Sequence, residues 1–399
     1  LRRARARITL AALMQNRFGL MVFFAIAGGW GCRAAGSGAD GDTGTGGGGG
    51  AGGGSGGMIT TGSGGSSSGG AGGTSPSPDG GGAGGGGAAA GDGGIGDHKI
   101  APGGYYVDGN TIYDSGGRAH LFHGLDRPSL EWSSIGEQLS LQDFQLMASW
   151  RSNVVRIALN QDFWLPNVDS YQATVDQMIR WAEQSGQDVI LDLHWSDKGQ
   201  LGANNGGQQI MADTNSVTFW QQVAAKYKGD GRVIFELYNE PHDVTWDVWL
   251  SGGSAGAFQV AGMQQLYDAV RGAGADNLIV IGGLNFAFDL SGVPSHRVSG
   301  YNIAYASHPY AVTGREPDKW DASFGFLAVT DPVIVTEFGT FDCSTSYYSS
   351  LVTYADQHAI SWTAWAWYNG GCGFPAVIAD WTGTPNAPGM VIKTALAAY

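Results

Sequence analysis

The stretch Val233-Ile-Phe-Glu-Leu-Tyr-Asn-Glu-Pro241 decides the reading of the fold: a short, largely apolar run stops on polar residues, and the amphipathic stretch Ala257 to Arg271 follows it. A run of that length and kind is a strand buried on both faces, and the stretch after it is the helix that returns the chain to begin a parallel neighbour. Working outward toward the N-terminus, the same unit recurs as His120 to Leu125 with Leu141 to Trp150, Val154 to Leu159 with Tyr171 to Gln184, and Val189 to Leu193 with Ser216 to Tyr227. Toward the C-terminus come Leu278 to Ile281, Ile303 to Ala306 with Lys319 to Ala328, Val333 to Thr336 with Tyr347 to His358, and Ser361 to Trp367 with Gly389 to Ala398. Eight such strands in about 290 residues fit an α/β fold of the closed (β/α)8 type, a TIM barrel, better than an open doubly wound sheet. Ahead of them, Tyr105 to Tyr113 holds two β runs around an Asp-Gly-Asn turn, a hairpin expected to cap the barrel floor.

The chain before this domain has a different character. Residues 32–103 are nearly all Gly, Ala, Ser, Thr and Asp, a composition too poor in large apolar side chains to offset its ordering entropy, and are expected to be a disordered Gly/Ser-rich linker. Residues 1–31 read as an export signal: Arg2, Arg3, Arg5, Arg7 and Arg17 precede an apolar run from Phe18 to Ala27 that is too short to span a bilayer. Met14 is an alternative start. Cleavage near Gly31 would leave Cys32 first, so the chain is expected to be secreted or, if Cys32 carries lipid, to be a cell-surface lipoprotein with no membrane span. The folded domain is then 104–399, expected to act as a monomer.

Charge narrows the partners. The formal charge of −14 becomes −19 when the leader's five Arg, unaccompanied by any acid, are removed. Such a surface repels nucleic acid and anionic headgroups. No strand followed by G-x-G-x-x-G occurs in the folded part, which leaves nucleotide binding without support. Cys343 and Cys372 sit just after the seventh and eighth strands, where adjacent loops invite a disulfide; two buried free thiols are the alternative.

In a (β/α)8 barrel the active site lies at the C-terminal ends of the strands. The runs end in Val155-Arg156, Asp192-Leu-His194-Trp195, Tyr238-Asn239-Glu240-Pro241, Ser307-His308-Pro-Tyr310, Thr336-Glu337-Phe-Gly339 and Trp365-Ala-Trp367. Glu240 after the fourth strand and Glu337 after the seventh would face each other across the mouth. A glycosidase that retains anomeric configuration needs two carboxyl groups roughly 5 to 5.5 Å apart, one to protonate the leaving oxygen and one to attack the anomeric carbon. Arg156 is expected to hold Glu337 ionised, while Glu240, short of cationic neighbours, is expected to have a raised pKa. A lone Glu at a strand end is more often a solvated loop residue, His194 a core histidine and Trp367 packing. Chance gives no reason for so many polar groups to stop at the same end of different strands.

These residues resemble glycoside hydrolase family 5, the cellulase and mannanase family of (β/α)8 barrels. Its strand-ending Arg is similar to Arg156, its His to His194, its Asn-Glu-Pro triplet with the acid/base to Asn239-Glu240-Pro241, its His-x-Tyr to His308 and Tyr310, its nucleophile motif to Thr336-Glu337-Phe-Gly339, and its stacking Trp to Trp367. All eight catalytic positions are occupied, in order, across about 210 residues. The resemblance implies a retaining, endo-acting β-1,4-glucanase working by double displacement, with β-1,4-mannanase and xyloglucanase as alternatives on the same mechanism. Asn239 would bond the sugar 2-hydroxyl, Tyr310 and Arg156 would donate to Glu337, and His194 and His308 would bond around the scissile sugar and the acid/base. A polysaccharide is the expected partner. No cofactor and no metal are expected. Among loop aromatics, Trp132, Trp164, Trp195, Trp246, Trp249, Phe286, Trp320 and Trp381 are platform candidates; after Trp367, Trp195 is the one singled out. A carbohydrate-binding surface protein without catalysis is the reading from another class, and the intact Glu pair speaks against it. A Schiff-base barrel would want a Lys at a strand end, and none is there.

Overall fold

The computed structural model describes residues 98–202, 207–256 and 258–399. The export signal, Cys32 and the linker up to residue 97 lie outside the described residues. The apolar runs form eight strands: β1 (His123–Arg127), β2 (Val154–Asn160), β3 (Asp188–Trp195), β4 (Val233–Glu236), β5 (Ile279–Gly282), β6 (Ile303–Ser307), β7 (Val333–Val335) and β8 (Ser361–Ala364). Each pairs in parallel with its chain neighbours and β8 returns to β1, closing the barrel. Gly124 in β1 is forced by this closure, because a Cβ there would stand 2.0 Å from the Val154 carbonyl oxygen of β2.

The helices Leu141–Ser149, Tyr171–Gln184, Thr214–Tyr227, Met263–Gly272, Ser346–His358 and Ala387–Leu396 link the strands. The helix expected over Lys319 to Ala328 is instead a short α turn, Trp320–Ser323, followed by a 3-10 stretch, Gly325–Val329. The chain breaks at Phe324 (φ −144°). Next to it, Gly325 lies so close under Tyr354 that a Cβ would be 1.7 Å from its hydroxyl. No helix among the described residues is long and apolar enough to cross a membrane.

The hairpin Tyr105–Asp108 and Thr111–Asp114 sits at the N-terminal end of the barrel, where Tyr105 and Ile112 join Phe122, Val154, Ile190, Ile234, Val280, Ala306 and Ile334 in one apolar cluster. The linker ends earlier than residue 103. Ala101 is buried, and the Pro102 carbonyl accepts from the Gly231 amide at 2.9 Å.

Strand period then determines what lies above that cluster. Side chains two apart share a face, so the inward set continues from Val154 to Arg156, from Ile190 to Asp192 and His194, from Ile234 to Glu236, and from Ile334 to Thr336. The lower interior is an apolar plug and the upper interior a polar layer, which is the physical basis of a site at this mouth. The intervening Val155, Ile157, Leu191, Phe235 and Val335 belong to the larger core between barrel and helices. Cys343 and Cys372 are bonded, with their Cα atoms 5.0 Å apart, and tie together the loops after β7 and β8.

Candidate active site

Arg156 is the centre of the polar layer and is fully buried. Its Nη1 donates to Glu337 Oε1 at 2.7 Å, its Nε to Glu236 Oε2 at 2.5 Å and its Nη2 to Asn239 Oδ1 at 2.7 Å. Asp192 Oδ2 lies 3.0 Å from Nη2 and Asp126 Oδ1 lies 3.3 Å from Nη1. Four carboxylates around one guanidinium raise its pKa well above the ordinary value against the opposing cost of burial. Glu236 is held down to about 2; burial alone would push it up, and the charge of Arg156 together with His308 outweighs that. Asp126 is pushed well up by burial, which Arg156 only partly offsets.

Glu337 follows β7 and is nearly buried, accepting from Arg156 on Oε1 and from the Tyr310 hydroxyl on Oε2 at 2.7 Å. Glu240 follows β4, its side chain 20% exposed, with Oε1 at 3.3 Å from His308 Nδ1. A carboxylate oxygen of each Glu and a nitrogen of His308 all fall within 4.8 Å of one another. That trio has the reach to hold a metal ion, but Arg156 and a charged imidazole in the same cluster repel a divalent cation.

Contrary to expectation, Glu240 has cationic neighbours. Burial pushes its carboxyl up, but the hydrogen bond and charge of His308, with Arg315 and His194 behind them, hold it below the ordinary value. Arg315 comes from the loop after β6, where its Nη1 donates to the His308 carbonyl at 2.9 Å and its Nη2 to the Asn285 carbonyl at 2.7 Å.

His308 is pushed up to about 10: burial opposes its charge, and Glu337, Glu236 and Glu240 together favour it more. His194, whose Nδ1 is 2.6 Å from Asp192 Oδ2, is pushed up to about 9 against burial, chiefly by Asp192. Both folded pKa values exceed the unfolded value, so their contribution to stability is complete below about pH 6.5 and is lost as pH rises through 9 to 10. The melting temperature should therefore fall between pH 7 and pH 10; a flat or rising profile by differential scanning fluorimetry would contradict protonated imidazoles in the resting site.

Of the two aromatic residues singled out, Trp367 presents no platform. Trp367 is completely buried: its indole nitrogen donates to Asp143 at 2.6 Å and its ring meets Trp150 edge-on at 4.8 Å. The reason is that β8 stops at Ala364 and does not continue to Trp367, so it is Trp365 that carries the inward parity of Thr363 to the mouth. Trp365 lies parallel to His194 with ring centroids 5.5 Å apart, and it clusters with Tyr310, Phe341, Tyr368 and Phe374. Trp195 ends β3 with 9% of its surface accessible. Trp164, Trp249 and Trp320 are core, while Trp132 meets Tyr368 and Phe374 edge-on, and Phe286 stacks on His242 at 4.1 Å.

The sequence reading also passed over Asp126, Glu236 and Arg315. Glu236 leaves a signal, a carboxylate two residues from the inward Ile234 of an otherwise apolar run; Asp126, two residues from Gly124 in His123-Gly-Leu-Asp-Arg127, leaves none, and neither does Arg315, in an irregular loop. Gln208, in the loop after β3, was missed for the same reason: its Oε1 accepts from Asn239 Nδ2 at 3.1 Å and its Nε2 donates to the Glu240 carbonyl at 3.1 Å.

The profile of the family described as Cellulase (glycosyl hydrolase family 5) matches residues 116–371. The chain is 27% identical over 274 residues to Endoglucanase Z of Dickeya dadantii, covering 65% of this chain and 58% of that one. It is 25% identical over 276 residues to an endoglucanase of Clostridium saccharobutylicum, covering 65% and 56%. It thus spans just over half the length of these relatives. Among solved structures, a β-glucanase from Saccharophagus degradans superposes with a TM-score of 0.61 at 24% identity over 74% of this chain and 93% of that one. The catalytic domain of a Thermobifida fusca endoglucanase gives 0.59 at 20% identity over 74% and 97%. The match begins after the hairpin and takes in all eight barrel strands, and with it the chain belongs to glycosyl hydrolase family 5, the cellulase family.

Proposed function

We propose that the protein is a retaining endo-β-1,4-glucanase in which Glu337 is the nucleophile and Glu240 the acid/base. The observation that carries this reading is the approach of the two carboxylates to within 4.8 Å, one braced by Arg156 and Tyr310 and the other by His308. An inverting pair needs roughly 6.5 to 9.5 Å to admit a water between sugar and base. Glu337 attacks the anomeric carbon and forms the glycosyl ester as the bond to the leaving oxygen breaks, and Glu240 gives that oxygen its proton. Water then attacks the ester while Glu240 takes the water's proton back. Glu240 is depressed in the open site, so its proton rests on His308; a sugar ring that displaces water from the mouth raises the cost of the carboxylate charge and favours transfer to Glu240.

Asn239, with its Oδ1 held by Arg156, is turned to donate to a sugar 2-hydroxyl. Trp365 supplies the apolar platform beneath the ring. Trp365→Ala should lower kcat/KM on soluble glucan about 10- to 100-fold beyond any loss of fold, whereas Trp367→Ala, which empties a fully buried site, should act through stability, at a cost of about 3 kcal/mol or more. Equal kcat/KM in the two variants, measured where both are folded, would remove the platform role from Trp365.

Glucan as substrate is supported by the names of the relatives, which are endoglucanases, and by the Saccharophagus β-glucanase having been solved with cellotetraose. The export signal and Gly-rich linker expected from residues 1–103 would fit action outside the cell on a polymer too large to enter it. The direct test is reducing-sugar release by residues 97–399 from carboxymethylcellulose, barley β-glucan, xyloglucan and mannan in parallel. Preference for the first two is expected. Preference for mannan or xyloglucan would keep the mechanism and change the substrate, and silence on all four would favour a binding protein.

A further inference from the structure

A second buried chain of polar groups runs behind the carboxylate pair, and its hydrogen bonds can be given a direction. Glu236 is completely buried, and its Oε2 already receives Arg156 Nε at 2.5 Å. An ionised carboxylate only accepts, so the contact of 2.7 Å between Thr336 Oγ1 and Glu236 Oε1 uses the single hydroxyl proton of Thr336. The lone pairs of that hydroxyl then face His308 Nε2 at 2.9 Å. Nε2 must be the donor. The other ring nitrogen, Nδ1, is left facing Glu240 Oε1 at 3.3 Å and Glu337 Oε2 at 3.8 Å.

We infer that Glu236 and Thr336 are positioning residues that lock His308 with a proton on Nε2, so that Nδ1 is the nitrogen that exchanges a proton with Glu240. The inference rests on the acid/base reading of Glu240 given above. In the resting site one proton is shared between Nδ1 and Oε1. Before the glycosidic bond breaks it moves to Glu240, leaving a neutral imidazole, and from Glu240 it passes to the leaving oxygen. When water attacks the ester, Glu240 takes one proton from the water and shares it again with Nδ1, so the site returns to its starting charge. The opposite ring assignment, with Nε2 bare, would put two acceptors against each other at Thr336 and give His308 no role but packing. The groups that face the imidazole are Glu236 and Glu240 from β4 and its loop, Thr336 and Glu337 from β7 and its end, and Arg315, whose guanidinium holds the His308 carbonyl from the following loop.

Thr336→Val keeps the shape of the side chain and removes the hydroxyl; Thr336→Ser restores it. The test compares kcat/KM, which reports only the first chemical step, for cellotetraose and for 2,4-dinitrophenyl β-cellobioside, whose leaving group departs without protonation. Thr336→Val should lose at least about 10-fold more on cellotetraose than on the aryl glycoside, and Thr336→Ser should recover most of that difference. Equal losses on both substrates would overturn the lock and leave Thr336 a packing residue. Glu240→Gln, run alongside, must show the same leaving-group dependence; if it does not, it is the acid/base assignment that fails and not the lock alone. Independently of any substitution at 336, nitrogen-15 histidine spectra of the wild-type protein, assigned by comparison with His308→Gln, should show a proton bound to Nε2 of His308 across the whole pH range in which the protein is folded. A neutral ring carrying its proton on Nδ1 would refute the inference directly.

Discussion

Glu337→Gln should reduce turnover of soluble glucan by at least about 10⁴-fold, a rise of roughly 5.5 kcal/mol in the barrier, while leaving the melting temperature and the affinity for cellotetraose nearly unchanged. Glutamine keeps the shape of the side chain, so its carbonyl oxygen can still receive Arg156 or Tyr310, both of which now donate to Glu337 at 2.7 Å. What is lost is the anionic oxygen that must bond to the anomeric carbon. The carboxylates nearby do not take its place: Glu240 is paired with His308 as the proposed acid/base, and Glu236 is committed to Arg156 and Thr336 in the layer below. The check is a pair of measurements on one sample: reducing-sugar release, and cellotetraose binding by calorimetry. Activity within tenfold of the parent would remove Glu337 from the nucleophile's role, whatever the binding data gave.

Arg156→Leu should be the most damaging single change to the structure as well as to the chemistry. The guanidinium is fully buried and touches Asp126, Asp192, Glu236 and Glu337 at once. Removing one partner from a buried ionic cluster costs about 3 to 5 kcal/mol, because the charges left behind must be protonated or stay unpaired. For a domain of this size that is a fall of roughly 10 °C in melting temperature, accompanied by loss of activity since Glu337 and Asn239 lose their common brace. Arg156→Lys is the informative partner. A point charge on a flexible stem cannot make the forked contacts of a planar guanidinium, so it should recover a good part of the melting temperature and little of the activity. If Arg156→Leu melts with the wild-type protein, the polar layer is not the electrostatic unit described here.

Much of this was legible in the residues themselves. Eight apolar runs with polar endings are a statement about period and burial, and they determined the barrel and the end at which polar groups collect. Asn239-Glu240-Pro241 and Thr336-Glu337 follow their strands for a reason visible in sequence, since the apolar runs that can be buried on both faces give way to polar residues there. What sequence could not decide was anything that depends on where a strand stops or on what a loop brings back. The Ser361 to Trp367 run reads as one strand, but β8 ends at Ala364, and three residues of difference put Trp365 against His194 and Trp367 in the core. The pKa of Glu240 reversed direction because His308 and Arg315 approach it from beyond β6, some 70 residues along the chain. Asp126, Asp192 and Glu236 each look like an isolated acid within its own strand; only closure of the barrel gathers them onto Arg156 and turns scattered charges into one electrostatic unit. Sequence determined the strands, their order and the residue types at their ends, because these follow from local periodicity and burial. Tertiary structure decided which charges share a low-dielectric interior and which ring lies against His194, because those depend on distances between parts of the chain that no local pattern encodes.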